Sequence, residues 1–412
     1  MSATSGSRAT SKPAIEHRFA AARARLRTVA TTGTNGKTTT TSMVAAIVAA
    51  SGEIAARVTT VGAWVGDELI PAPTPMEEFL GTAERAVERG GRTLALEVTS
   101  KALAAGIARQ WPPDISVFTN LTRDHLDMHG SPEAYLAAKA QLFMALNPGA
   151  RAVLNQDDPS SALLREVIAP GVEIETYSVR DPACTLAAAA VEVRPGATRI
   201  VLVPSAFARE LDGAIELAIS GGVHAQNALA AALACRAAGY PAQVIRRGLE
   251  GFAGVPGRFE VVGERPLVVV DYAHTPDGLV GTLTTARELC RRQVICVFGC
   301  GGGRDRGKRP EMAAIVDERA DIAILTTDNP RHEDPAAIAA EVRTGAPIPR
   351  ARWIEELDRA AAIALAVAMA DPEDVVVIAG KGHERVQEIA GRELVFSDVD
   401  VARASIARRP PA

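Results

Sequence analysis

Short apolar runs alternate with longer stretches of helical hydrophobic spacing along most of the chain. Residues 93–98 and 115–119 are two such runs, and each ends in polar residues, as buried parallel strands do. Between runs of this kind, residues 132–146 predict a helix, with Ser131 as its N-cap and Pro132 at its first position. The alternation predicts an α/β fold with a mostly parallel sheet and ligands at the carboxyl ends of its strands.

The alternation occurs in two series. Between about residues 150 and 218 it gives way to short β-branched segments, such as 198–203, before helical spacing returns at 227–238. A boundary is predicted near the glycine- and proline-containing stretch 254–257. Beyond it a second series indicates a Rossmann-like domain, with strands at residues 267–271, 294–298, 322–326 and 375–378. We therefore predict a central domain at 28–255 and a C-terminal domain at 256–412.

The first 25 residues are rich in Ser, Ala and Arg and contain no apolar signal core. They predict a flexible tail over residues 1–27. A transit peptide is the rival interpretation.

Composition narrows the class of protein. The 412 residues are 47% hydrophobic and 23% charged, which is typical of a globular protein with a sizeable core. The net charge of −4 argues against a general nucleic-acid surface, and no apolar run is long enough for a membrane span. The five cysteines include no Cys-x-x-Cys pair, which favours reduced thiols and a cytoplasmic location. We expect a monomer or a weak oligomer.

The polar stretch 31–40 follows an apolar run and opens a helical pattern. It reads Gly-x-x-Gly-Lys-Thr from Gly33 to Thr38, a shorter form of the phosphate-binding loop. Glycines let backbone N–H groups point at phosphate oxygens, Lys37 adds a positive charge, and the Thr38 hydroxyl can ligate Mg²⁺. An ordinary helix-capping turn would not explain a lysine and three hydroxyls in one turn. The stretch therefore predicts a site for nucleotide and Mg²⁺.

Two further strand ends carry candidate chemistry. Glu97 ends one predicted strand, where it is a candidate Mg²⁺ ligand or, taken alone, an ordinary surface carboxylate. Residues 118–130 follow the next strand and place two histidines and two aspartates within six positions. A solvated loop is also polar, but it would rarely collect two of only seven histidines. This segment indicates metal or phosphate chemistry.

Residues 118–143 resemble the signature of the Mur ligases, and of the MurE type in particular. Further matching blocks follow in the family's order at residues 32–39, 256–258, 270–277, 298–302, 307–310, 327–331, 333–335 and 379–384. The resemblance extends over nearly the whole chain from residue 28. It implies a central P-loop ATPase domain and an enzyme that uses MgATP to phosphorylate a carboxylate. The amine of an amino acid then attacks the acyl phosphate, giving an amide, ADP and phosphate.

The resemblance also implies roles for individual residues. Those assigned to ATP are Gly33, Thr34, Asn35, Gly36, Lys37, Thr38, Thr39, Asn120, Asn227, Arg258 and Asp271. Those assigned to catalysis are Lys37, Glu97, His125, Lys139 and His274, with Mg²⁺ held by Thr38, Glu97, His125 and Lys139. In the family the lysine matching Lys139 is carbamylated, which turns a cation into a carboxylate ligand. Without the motif, Lys139 would be read as a surface lysine on a helix.

The incoming amino acid is assigned to the C-terminal domain. The substrate residues implied are Thr74, Arg309, Asp328, Asn329, Arg331, Gly380 and Glu384. Residues 328–331 resemble the motif of enzymes that select meso-diaminopimelate, so Arg331 and Arg309 would grip a distal carboxylate. Glu384 and the Gly380 carbonyl would accept hydrogen bonds from its ammonium group. The alternative is a structural salt-bridge network in a loop.

Two departures from the family pattern bear on the acceptor. The MurE type has about a hundred residues before the phosphate loop that hold uridine, whereas 32 residues precede Gly33 here. Lys101 stands where the family has histidine. We therefore favour a ligase whose acceptor is a small-molecule or peptide acid without UDP. The alternatives are a shortened MurE that adds meso-diaminopimelate to UDP-muramyl dipeptide, and an ATP-binding pseudoenzyme or regulator. Retention of Lys37, Glu97, His125 and Lys139 argues against the pseudoenzyme.

Overall fold

The computed structural model describes residues 12–409 and confirms the α/β class. The strands are β1 Arg27–Thr32, β2 Ala56–Thr59, β3 Gly62–Val65, β4 Glu68–Leu69, β5 Thr93–Glu97, β6 Ile115–Phe118, β7 Arg151–Asn155, β8 Glu173–Ser178, β9 Leu186–Arg194, β10 Ala197–Leu202, β11 Ala214–Leu217, β12 Glu260–Glu264, β13 Leu267–Asp271, β14 Val294–Phe298, β15 Ile322–Leu325, β16 Arg352–Glu355, β17 Val375–Ala379, β18 Val386–Ile389 and β19 Arg392–Val395. The helices are α1 Lys12–Arg23, α2 Lys37–Ala50, α3 Pro75–Glu88, α4 Ser100–Ala104, α5 Ile107–Gln110, α6 Leu126–His129, α7 Pro132–Met144, α8 Ser160–Val167, α9 Ala206–Glu210, α10 Val223–Ala237, α11 Ala242–Glu250, α12 Pro276–Leu289, α13 Lys308–Arg319, α14 Pro335–Arg343, α15 Arg359–Met369 and α16 Asp398–Ala407.

The first eleven strands form one sheet in the order β11-β10-β9-β8-β7-β6-β1-β5-β2-β3-β4. Its centre, from β9 to β2, is parallel, and the hairpins at both edges are antiparallel. Apolar side chains of β1 alternate between two core clusters, with Val29 on one face of the sheet and Ala30 on the other. In the parallel register, Thr31 lies beside Glu97 and Thr32 beside Phe118. The carboxyl ends of β1, β5 and β6 therefore meet at one edge of the sheet, where the predicted chemistry lies.

The predicted tail over residues 1–27 is corrected in the part that the structure describes. Residues 12–23 form helix α1, and β1 begins at Arg27. Phe19 of α1 is buried, with its ring 5.6 Å from those of both Phe79 and Trp111. Burial of this aromatic surface stabilises a segment whose composition alone gave little sign of order. Residues 1–11 lie outside the described residues.

The later strands form a second sheet in the order β12-β13-β17-β14-β15-β16, parallel except for the β12 edge. All four strands predicted for the second series are present within two residues of their expected bounds. Asp271 lies beside Ala379 in the register of β13 and β17, so the segments that follow these strands are neighbours. The fold thus brings a second set of strand ends together, in the part of the chain assigned to the amino acid.

The two sheets are joined through the segment after α11, where Val255 and Arg258 form an isolated bridge. Side chains also cross between the two halves: Arg123 pairs with Asp305 and Glu311, and Asn35 donates to Asp277. All five cysteines are free thiols in the described part of the chain, as predicted. No helix within residues 12–409 has both the length and the apolar character needed to cross a bilayer.

Candidate active site

The phosphate loop connects β1 to the 14-residue helix α2 and is braced from the end of β6. Asn120 accepts from the backbone N–H of Asn35 at 2.8 Å through its side chain, and from that of Thr34 at 2.8 Å through its carbonyl. The Thr119 hydroxyl donates to the Asn35 carbonyl at 2.6 Å. Gly36 has φ 82° as the helix N-cap, a conformation that glycine adopts freely. These contacts fix the loop so that the N-terminus of α2 can bind an anion.

Lys37 is half-buried at the start of α2, and its ammonium group donates to the Thr34 carbonyl at 2.8 Å. Burial lowers the pKa of Lys37, and the nearby guanidinium of Arg258 lowers it further. Arg258, from the other half of the chain, donates to the Thr38 hydroxyl at 3.4 Å and lies over the ring of Tyr272. Two cations from different parts of the sequence thus converge on the start of α2, which favours an anionic ligand there.

Glu97 and Thr38 form the oxygen-rich corner of the site. The Thr38 hydroxyl donates to the Glu97 carboxylate at 2.8 Å. Glu97 is only 8% exposed and also accepts from the backbone N–H of Thr60 at 3.0 Å. Thr60 follows β2, the strand next to β5, and sequence reasoning missed it because no motif marks it. Its position at a parallel strand end was the available signal.

Lys139 is 1% exposed on α7, not a surface lysine. Its ammonium group donates to the Gly33 carbonyl at 2.6 Å and lies 4.2 Å from the ring centroid of Tyr135. Burial, followed by the charge of Lys37, lowers the pKa of Lys139 well below its usual value. His125 lies at the start of α6 with φ 53°, and its ring is 6.1 Å from that of Tyr135. The structure therefore brings Lys139 and His125 to either side of one buried tyrosine.

Asp124 lies where the two halves of the chain meet, and sequence reasoning did not select it. It is 7% exposed, with its carboxylate 3.3 Å from Nε2 of His125 and 4.0 Å from both Nε2 of His274 and Nζ of Lys308. Burial lowers the pKa of His274 to about 4, so its imidazole is neutral at neutral pH. Lys308 is 6% exposed and was likewise not selected. Both lie within matched motifs, but only the fold shows that they face one another.

The residues assigned to the adenosine part of ATP lie on two sides of the phosphate loop. Asn227 of α10 accepts from the Thr40 hydroxyl at 3.3 Å, and a Cβ on Gly36 would overlap its side-chain oxygen. Asp271 accepts from the backbone N–H groups of Phe259 and Ala273 at 2.6 and 2.9 Å. It therefore braces the segment that carries Arg258, and a ribose contact would be an additional role.

The turn after β17 and the loop after β15 form a polar corner in the C-terminal half. Asn329 donates to Glu384 at 2.8 Å and accepts from Lys381, a fully buried lysine, at 2.9 Å. One carboxylate oxygen of Asp328 is buried without a hydrogen-bond partner among residues 12–409, and a Cβ on Gly380 would lie 2.6 Å from it. Negative and carbonyl oxygens thus converge here, as recognition of an ammonium group requires.

Arg331 and Arg309, expected to act together, have different surroundings. Arg331 has φ 56°, lies 3.3 Å from Glu388 and donates to the Gly302 carbonyl at 2.6 Å. Arg309 is fully buried and bonded to Glu333, Glu341 and the Gly301 carbonyl. Four of its five N–H groups are therefore engaged within the protein, which favours the structural-network alternative for Arg309.

Arg304 is the guanidinium that the structure offers in its place. A Cβ on Gly301 would lie 3.2 Å from Arg331 and 3.8 Å from Arg304, so both side chains pass the same glycine. The Arg304 side chain is 46% exposed, and its nearest carboxylate is Asp127 at 3.8 Å. Within the described part of the chain its guanidinium makes no hydrogen bond, and sequence reasoning selected Arg309, five residues later, instead.

Thr74 and Lys101 lie away from these contacts. Thr74 is the exposed N-cap of α3 and accepts from the Glu77 backbone N–H. Lys101 is exposed on α4, whereas its neighbour Ser100 is buried with its hydroxyl 3.0 Å from His129. Neither side chain contacts the phosphate loop among the described residues.

The donor set fits Mg²⁺ bound together with a nucleotide. Thr38 and Glu97 supply hard oxygen ligands beside the loop, and Mg²⁺ commonly takes one or two protein ligands together with phosphate oxygens and water. Within residues 12–409, no group of three or more His, Cys, Asp or Glu side chains is arranged to hold a metal.

Comparison with known proteins identifies the family. Residues 31–235 match the family model for the Mur ligase middle domain, and residues 257–382 match that for the Mur ligase, glutamate ligase domain. The chain is 40% identical over 398 residues to the UDP-N-acetylmuramoyl-L-alanyl-D-glutamate–2,6-diaminopimelate ligase of Geobacillus kaustophilus, covering 93% of this chain and 80% of that protein. The ligase of the same name from Synechococcus elongatus is 40% identical over 400 residues, covering 94% and 78%.

Solved structures agree with this identification. A structure of a UDP-N-acetylmuramoyl-L-alanyl-D-glutamate–2,6-diaminopimelate ligase superposes with TM-score 0.64 at 35% identity, covering 93% of this chain and 78% of that one. Folylpolyglutamate synthase of Mycobacterium tuberculosis, solved with ADP and AMPPCP, shares the fold with TM-score 0.70 at 20% identity, covering 97% and 95%. The chain belongs to the Mur ligases, ATP-dependent enzymes that join a carboxylate to an amine with release of ADP.

Proposed function

We propose that the chain joins meso-diaminopimelate to UDP-N-acetylmuramoyl-L-alanyl-D-glutamate. The observation that carries this proposal is 40% identity, over 93% of the chain, to ligases named for that reaction. The comparisons favour this alternative over the acceptor without UDP that the sequence favoured. We assign residues 28–255 to ATP and residues 256–412 to the amino acid, and we place the reaction in the cytoplasm.

MgATP, when bound, supplies the phosphoryl group that makes the acceptor carboxylate electrophilic. The backbone N–H groups of residues 36–38 and the Lys37 ammonium would hold its terminal phosphates, because they lie at the N-terminus of α2. Thr38 and Glu97 hold one Mg²⁺. Arg258 adds positive charge from the C-terminal half, so the site is complete only when the two halves meet.

Lys139, as its carbamate, would hold a second metal together with His125. The carbamate forms when the unprotonated amine adds to CO₂ and releases a proton, and burial of Lys139 favours the unprotonated amine. The ammonium group has no carboxylate within 4 Å among the described residues, although it is fully buried. Without a carboxylate partner the buried amine is favoured in its neutral form, which is the form that reacts with CO₂, and this supports the modification.

The amino acid is held at the corner formed by Asn329 and Glu384. Its ammonium group donates to Glu384, Asp328 and the Gly380 carbonyl, while Arg331 and Arg304 bind the distal carboxylate. This arrangement would recognise both the ammonium group and the distal carboxylate of a diamino diacid. Lysine has a hydrogen where the diacid has its distal carboxylate, so it would leave both guanidinium groups without that ligand partner.

Phosphate release with MgATP tests the proposal. We expect release only when UDP-N-acetylmuramoyl-L-alanyl-D-glutamate and meso-diaminopimelate are both present, with little release when lysine replaces the diacid. Lys37→Met serves as the control that lacks phosphate binding. Release with a nucleotide-free peptide acid, and none with the UDP substrate, would overturn the proposal.

A further inference from the structure

A cavity of about 480 Å³ lies between the β2–β3 hairpin, the segment around Pro256 and the C-terminal half. None of the side chains assigned to ATP, Mg²⁺ or the amino acid lines it. His383 contributes to its wall, whereas the preceding Lys381 and the following Glu384 bond to each other and to Asn329. The cavity therefore borders the site described above: the ring of His383 lies 5.1 Å from that of Tyr272, over which Arg258 lies.

The charges that line this cavity are mainly positive. Its walls include Arg57, Arg385 and Arg403, with Glu260 as the single carboxylate. Arg403 pairs with Glu260 at 3.2 Å, and Arg385 pairs with Asp400 at 2.9 Å. The Arg57 guanidinium has no hydrogen bond and no ion pair with any described residue. It is thus the uncompensated cation of the cavity.

Arg57 is positioned by the sheet. It lies opposite Trp64 in the antiparallel register of β2 and β3, and its guanidinium carbon is 4.3 Å from the centroid of the Trp64 ring. The guanidinium is half-buried and remains charged at neutral pH. Buried charges are normally paired, because removal from water costs several kcal/mol. A fixed and partly desolvated arginine beside a cavity therefore favours an anionic occupant.

The rest of the cavity wall indicates the chemical character of the uncharged part of that ligand. Val61, Trp64, Val255 and Pro256 present apolar surface to the same space. Burial lowers the pKa of His383 to about 4, so this wall residue is a neutral hydrogen-bonding group at neutral pH. A carboxylate or phosphate on a small apolar body would satisfy both kinds of surface.

We propose that this cavity is a binding site for a small organic anion, a carboxylate or a phosphate ester with an apolar or aromatic body, anchored by Arg57. Its lining includes none of the residues assigned to ATP, Mg²⁺ or the amino acid. The proposal does not depend on the proposed function, because it is tested by binding without turnover.

Calorimetric titration with phenyl phosphate, benzoate and benzyl alcohol tests the site and separates the two anion classes. The enzyme is first saturated with Mg²⁺, a non-hydrolysable ATP analogue and meso-diaminopimelate, so that the phosphate loop and the amino-acid corner are filled. We expect saturable binding of at least one anion and none of benzyl alcohol. Absence of binding by both anions, or equal binding of the alcohol, would overturn the proposal.

Variants locate the binding. Arg57→Gln should weaken binding of the anion by at least about tenfold, the loss of affinity expected when a charged hydrogen bond is removed. Arg199→Gln removes the same charge from an exposed position on β10 and should bind the anion as tightly as the parent does. Arg331→Ala should do the same. Val61→Phe fills the cavity and leaves every arginine in place, so it should also weaken binding of the anion. This second variant keeps the proposal testable if Arg57→Gln fails to fold. Retained affinity in both cavity variants, or loss in Arg331→Ala, would assign the anion to another site.

Discussion

The ammonium nitrogen of Lys139 lies 2.6 Å from the carbonyl oxygen of Gly33, 106 positions earlier in the chain. This bond joins helix α7 to the first residue of the phosphate loop. Tyr135, one turn before Lys139, supplies the ring over which the ammonium group lies. Backbone and aromatic contacts therefore place the lysine against the nucleotide site, and no carboxylate of residues 12–409 pairs with its nitrogen.

Lys139→Ala should reduce kcat by on the order of 10²–10³, as loss of a preorganised electrostatic group does. Affinity for a non-hydrolysable ATP analogue should change little, because Lys37 and the loop N–H groups remain. Steady-state phosphate release and analogue titration measure the two quantities. Partial rescue by a short carboxylic acid would support the carbamate, and an unchanged kcat would remove Lys139 from the mechanism.

Gly36→Ala should abolish measurable ATP-analogue binding. The added Cβ would overlap the side-chain oxygen of Asn227 and would strain a residue with φ 82°. Gly52→Ala is the matched control, because Gly52 has φ 88° and nothing lies within 4 Å of its added Cβ. Both variants carry the backbone strain, so equal binding loss in the two would attribute the effect to strain alone.

Arg331→Ala and Arg304→Ala should each raise the KM for meso-diaminopimelate by about 10–100-fold, the range for a lost charged hydrogen bond. The KM for ATP should stay near the parent value, since neither side chain contacts the phosphate loop. Initial rates at varied amino acid and varied ATP separate the effects. A rise confined to the KM for ATP would contradict the placement of both arginines.

Arg309→Ala should lower the free energy of unfolding by about 2–4 kcal/mol, because it leaves Glu333 and Glu341 without their buried partner. The two carboxylates are about a third exposed, which keeps the loss below that of a fully buried pair. Arg306→Ala is the control: Arg306 also pairs with Glu341 but is 66% exposed, so a much smaller loss is expected. Denaturant unfolding measures both, and an equal loss in the two would refute the structural role of Arg309.

Acid should destabilise the fold through His224. Burial lowers the pKa of this imidazole from 6.5 to about 4. The unfolded chain therefore takes up a proton that the folded chain does not, and stability falls as the pH drops from about 6.5 to 4. In His224→Gln the slope over that window should be smaller by up to about 1.4 kcal/mol per pH unit. Urea titrations at pH 7.5 and pH 5.0 measure it, and identical slopes would place the proton uptake elsewhere.

The sequence by itself determined the helices and strands, and the strand ends at which the candidate site residues lie. The phosphate loop, Glu97 and the segment at 118–130 were predicted because a glycine turn and a polar residue after an apolar run are local signals. The Ser131 cap of α7 was predicted for the same reason, and its hydroxyl accepts from the Ala134 backbone N–H. These features depend on neighbouring residues and on backbone geometry, both of which the order of amino acids specifies directly.

The tertiary structure alone decided which side chains meet. Asp124 faces His274 and Lys308, and Thr60 faces Glu97, only because distant strands end at the same edges. Arg309 and Arg304 lie only five positions apart in the chain, yet helix packing buries the first against two carboxylates and leaves the second half-exposed. Helix α1 is ordered because Phe19 packs against Phe79 and Trp111. Partners of a charged or aromatic side chain are fixed by long-range packing, and no local pattern contains that information.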